Sequence, residues 1–86
     1  MPAQAATTSV SGSLSCPSGQ VVWVYVTTEY SAPAAFYSGT ARRYTDSGGT
    51  THVLNYGTRT VNWRVESDGN ILTASDWCGP NAMRAQ

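Results

Sequence analysis

Gln20-Val21-Val22-Trp23-Val24-Tyr25-Val26-Thr27-Thr28 is the stretch that decides the fold. Its valines, threonines and aromatic residues are stiff at χ1 and pack well on a pleated surface, so it reads as a strand. At a period of two, Val22, Val24 and Val26 fall on one side and Val21, Trp23 and Tyr25 on the other. A strand that is apolar or aromatic on both sides is expected at the centre of a sheet, buried on one face and partly covered on the other. Trp23 and Tyr25 are accordingly expected in the core, together with Trp63.

Outward from this strand the chain alternates between short extended segments and turns. On the N-terminal side, Pro17-Ser18-Gly19 is a turn. Before it, residues 9–16 read as an edge strand with Val10, Leu14 and Cys16 on one face, and Gly12 invites a bulge. On the C-terminal side, residues 29–35 contain Pro33 and no periodicity, which predicts a long exposed loop. Residues 35–37 and 40–45 read as short strands around Ser38-Gly39, followed by a turn at Asp46-Ser47-Gly48-Gly49 and a strand over 50–55. Val61, Trp63 and Val65 then alternate with Thr60, Asn62, Arg64 and Glu66, the cleanest in/out pattern in the chain. Asp68-Gly69 predicts a hairpin through a primed turn, and residues 71–78 return as the last strand, bringing Trp77 near Cys78. No segment has helical periodicity, and without helical crossovers the pairing should be antiparallel. The fold class expected is all-β: a small antiparallel β-sandwich of about six to eight short strands.

The chain has 86 residues, enough for one domain, expected over residues 9–79 between flexible tails at 1–8 and 80–86. Ala3-Gln4-Ala5 has the small-x-small pattern of a signal-peptidase site, which points to an exported, extracellular domain. Cys16 and Cys78, 62 positions apart, are expected to form one structural disulfide. Five basic side chains balance five acidic ones and no lysine is present, which argues against a nucleic-acid partner. The longest apolar run, Val21 to Val26, is far short of a membrane span. No cofactor or metal is expected, and the domain should be a monomer.

Catalytic groups are sparse. His52, the single histidine, reads as an ordinary strand residue; a Ser-His-Asp arrangement with Asp76 has no nucleophile elbow to support it. The carboxylates lie mostly in turns, and Asp46-Ser47-Gly48-Gly49 and Asp68-Gly69-Asn70 each offer one carboxylate, too few for a calcium loop. An enzyme is therefore not expected. The surplus is aromatic. Tyr30, Phe36, Tyr37, Tyr44 and Tyr56 lie at or near loops and strand ends and are the candidate ligand-binding residues, because such rings stack on sugars and anchor protein interfaces.

Two short stretches have parallels elsewhere. Ser15-Cys16-Pro17-Ser18-Gly19 followed by Val-Tyr-Val resembles the opening of small secreted actinobacterial βγ-crystallin-like proteins, a class that includes peptidase inhibitors; Ala32 stands where their aromatic corner has glycine. Trp63-Arg64-Val65 is similar to the Trp-Arg-Tyr bait of tendamistat-like α-amylase inhibitors, with a different third residue and cysteine pattern. Neither family is assigned and no functional residue is carried over. The function expected is a secreted, non-catalytic domain binding a polysaccharide, a cell-wall polymer or a secreted or cell-surface protein through surface tyrosines. The alternatives are an inhibitor of a secreted protease or α-amylase acting through the 29–37 loop, and an antibacterial toxin or envelope-assembly protein.

Overall fold

The central strand is β2 (Gln20–Thr28), with Val22, Val24 and Val26 completely buried. The computed structural model describes residues 7–81 and contains six further strands: β1 (Ser9–Ser15), β3 (Ala34–Ser38), β4 (Ala41–Asp46), β5 (Thr51–Asn55), β6 (Thr60–Ser67) and β7 (Ile71–Pro80). They form two antiparallel sheets, ordered β1-β6-β3-β4 and β5-β2-β7. The valine face of β2 meets Val61, Trp63 and Val65 of β6, and Phe36, Ala34, Tyr56 and Ile71 complete the core of this β-sandwich.

Apart from the β3–β4 hairpin, each connection passes from one sheet to the other. The expected Asp68-Gly69 hairpin is therefore corrected, because β6 and β7 lie in different sheets. A primed turn would need positive φ at Asp68, and in its I′ form at Gly69 too, whereas in this turn Asn70 adopts it (φ 61°). The corner is held from the residue just after β2: the Glu29 amide donates to the carbonyls of Gly69 and Asn70 at 2.9 and 3.0 Å. A Cβ on Gly69 would stand 2.9 Å from both Thr28 Cβ and the Tyr30 carbonyl, so the close approach requires glycine.

The bulge expected in β1 is also absent: its register with β6 runs unbroken from Ser9↔Glu66 to Ser15↔Thr60. Gly12 instead makes room for the indole of Trp63 directly opposite, where a Cβ would come within 2.8 Å of the ring. The ring cannot slide freely, because its Nε1 donates to Asp76 Oδ2 of the other sheet at 2.8 Å. Gly12→Ala should thus destabilise the domain by about 1–2 kcal/mol, overpacking outweighing the gain from a stiffer unfolded chain. A shift of the urea midpoint measures it, and an unchanged midpoint would show that the indole has room to move.

Parts of the expected tails are ordered. Thr7 and Thr8 accept backbone hydrogen bonds from Ile71 and Ser67, and β7 continues through Pro80. Residues 1–6, with the Ala3-Gln4-Ala5 pattern, and 82–86 lie outside the described residues. The expected 29–35 loop shortens to five residues, since Ala34 and Ala35 already pair in β3. The disulfide joins Cys16, just after β1, to Cys78 in β7 across a Cα–Cα distance of 5.5 Å, tying the two sheets together.

Candidate functional site

The five candidate aromatic residues do not share a surface. Phe36 and Tyr56 are in the core at 0% and 1% exposure, which removes them from any ligand face. Phe36 lies on the inward side of β3. Tyr56 is fixed by hydrogen bonds from its amide to the Val22 carbonyl (2.9 Å) and from its hydroxyl to the Tyr37 carbonyl (2.8 Å). Burial pushes the Tyr56 phenol up to about 12, and the nearby Arg43 guanidinium opposes only part of that rise.

The other three are dispersed. Tyr37 faces out from the four-stranded sheet beneath the Arg64 guanidinium, 4.4 Å from its ring centroid, and Arg64 pairs with Glu66 at 3.1 Å. Tyr44 is exposed on edge strand β4, tilted against Phe36. Tyr30 is exposed at the corner after β2, and its hydroxyl donates to the Asp68 carbonyl at 2.7 Å.

His52 lies on the inward side of β5, and its side chain is fully enclosed. Its Nδ1 donates to Asp46 Oδ2 at 2.5 Å, joining β5 to β4 of the opposite sheet, while Nε2 has no hydrogen-bond partner among the described residues. Asp76, the acid that a Ser-His-Asp arrangement would have needed, instead accepts from Trp63. An imidazole closed off in this way ties the sheets together and is out of reach of a substrate.

A contiguous aromatic surface lies instead on the outer face of β5-β2-β7. Alternation along β2 turns Trp23 and Tyr25 away from the core, and Trp77 is the cross-strand neighbour of Trp23. The two indoles stack with centroids 5.8 Å apart and planes within 18°. Trp23 is half-buried and donates through Nε1 to the Pro80 carbonyl at 3.0 Å; Trp77 is 41% exposed. A Cβ at Gly79 would stand 3.0 and 3.3 Å from the two indole nitrogens, so both rings reach across the bare backbone there. In the adjoining row, Tyr25 pairs with Val53, which is 46% exposed, and with Ser75. The expectation that Trp23 and Tyr25 belong to the core is therefore corrected, while Trp63 is buried as expected. No family model, curated protein or solved structure matches this chain.

One signal in the sequence marks this face. If Cys78 points inward to reach Cys16, alternation turns Trp77 outward. Pairing β7 with β2 then sets Trp77 beside Trp23.

Proposed function

We propose that this chain is an exported, non-catalytic binding domain that recognises a polysaccharide, a cell-wall polymer or a protein through the outer face of its three-stranded sheet. The observation that carries this reading is the Trp23–Trp77 stack, with one indole 41% exposed on the surface of a domain this small. A large aromatic ring held in place by its neighbours offers contact area with little further loss of side-chain entropy on binding. The disulfide supports export, because such bonds persist in oxidising compartments.

Retention on insoluble chitin, cellulose, starch and peptidoglycan, together with pull-down of extracellular proteins, tests the reading. Trp77→Ala should lower retention about tenfold or more with little change in Tm, and Tyr44→Ala, on the far edge strand, should leave it intact. Equal retention by the parent and Trp77→Ala would remove the face from consideration.

A second reading, inhibition of a secreted hydrolase, has one observation in its favour. The 29–33 segment is short, exposed at Tyr30, Ser31 and Pro33, and held rigid: the Ala32 amide donates to the Gly49 carbonyl (3.2 Å) and the Gly49 amide to Ser31 Oγ (2.9 Å). Its signature would be stoichiometric, saturable inhibition of a protease or amylase, lost on substitution of Tyr30.

A further inference from the structure

Charge is distributed unevenly between the two outer faces. Arg64 pairs with Glu66 on the outer side of the four-stranded sheet, where Arg42 lies opposite Tyr37. Asp46 and Asp76 are engaged between the sheets by His52 and Trp63. The outward positions of β5, β2 and β7 carry no ionisable acid or base other than the phenol of Tyr25. Polarity there comes from neutral groups: the Thr27, Thr51, Thr73 and Ser75 hydroxyls in the rows beyond the indoles, and the Asn55 amide beside Trp23, which is hydrogen-bonded to Gly57 and Asn81. Thr27 Oγ1 and Thr73 Oγ1 share a hydrogen bond at 2.6 Å.

We infer that the occupant of this face is a neutral polysaccharide, an inference that rests on the assignment of the face made above. A sugar ring presents C–H groups that pack on an indole and, around them, hydroxyls that exchange hydrogen bonds with uncharged donors and acceptors. The face supplies both, the indoles in the Trp23 row and the hydroxyls in the two rows beyond it. An anionic polymer would give up hydration of its charges against a surface with no cation to replace it. A second copy of this chain fits less well, since homodimer interfaces are more apolar than a face with hydroxyls in its Tyr25 and Thr27 rows.

Affinity electrophoresis of the oxidised domain tests the inference, using neutral polymers (soluble cellulose and chitin derivatives, starch) and anionic ones (polygalacturonate, hyaluronan). Gels run at low salt and at about 1 M NaCl separate charge-driven from uncharged binding, because the higher salt screens charge beyond about 3 Å. The expected result is retardation by at least one neutral polymer, unchanged by salt, reduced about tenfold by Trp77→Ala and untouched by Arg64→Ala. Retardation by anionic polymers alone, lost in high salt and in Trp77→Ala, would overturn neutrality while leaving the face assigned. Retardation that Arg64→Ala abolishes and Trp77→Ala does not would overturn both. Absence of retardation, with a concentration-dependent dimer in sedimentation that Trp77→Ala dissolves, would identify a second copy as the occupant and overturn the polysaccharide. No retardation and no dimer would likewise overturn it.

Discussion

Reduction of Cys16–Cys78, or its replacement by two serines, is expected to lower stability by about 4 kcal/mol, the loop-closure entropy for a cross-link of this span. Domains of this size have stabilities from about 5 kcal/mol, so the loss would leave folded and unfolded chains at comparable populations. The bond's position makes the entropic estimate apply well. Cys16 follows an edge strand of one sheet and Cys78 lies in an edge strand of the other, so the bond closes those edges at the end of β7 opposite the Ile71–Thr7 hydrogen bond. Local hydrogen bonds around Cys16, from its amide to the Arg59 carbonyl and from Arg59 Nε to its own carbonyl, fasten it to the start of β6 rather than to β7. Urea unfolding with and without reductant should show a fall in midpoint together with a steeper slope, because the freed unfolded chain exposes more surface. Identical midpoints would refute the entropic account, as would two free thiols titrated in the denatured, unreduced protein.

The strands were legible where one physical requirement controlled the pattern. Valines at alternate positions of β2 and the Val61, Trp63, Val65 series of β6 must bury a common face, and the structure packs these faces together. The partner of each strand was not legible. Asp68-Gly69 satisfies the composition of a hairpin and of a corner equally. The corner's deciding contacts come from Glu29, Thr28 and Tyr30, distant in sequence. Gly12 is ambiguous for a related reason: a bare position in a strand serves a bulge or a neighbour's side chain alike, and the neighbour, Trp63, belongs to β6.

The aromatic surface was harder to locate because alternation divides β2 into two faces without saying which one a second sheet will cover. By alternation and position alone, Trp23 and Tyr25, on a strand that must be central, read as inward with Trp63, and Tyr56 and Phe36, beside turns, read as outward. Both assignments reverse. A face of three valines is smooth enough to mate closely with another sheet, and a face carrying Trp and Tyr on one strand is not. Tyr56 turns inward because it lies just beyond the end of β5, where the chain crosses between the sheets and its hydroxyl can reach the Tyr37 carbonyl.

That buried hydroxyl leads to a second large effect, on alkaline stability. Tyr56 has its phenol pushed up to about 12, chiefly by burial, from its ordinary value of 10.0. Between these values the unfolded chain releases the proton and the folded chain keeps it, so the unfolded state binds fewer protons and stability falls with rising pH. The contribution is present in full below about pH 10 and declines by about 1.4 kcal/mol per unit as pH rises toward 12, up to about 3 kcal/mol in all. Tyr56→Phe abolishes this step. It also leaves the Tyr37 carbonyl without its 2.8 Å donor, so the variant should be about 1–2 kcal/mol less stable than the parent near neutrality. The two stabilities should then converge, and cross, as pH climbs through the window. Urea midpoints measured at about pH 8, 10 and 11 give the comparison. Parallel declines in both proteins would mean that Tyr56 ionises as readily folded as unfolded, and that the phenol between the sheets is far better solvated than its burial implies.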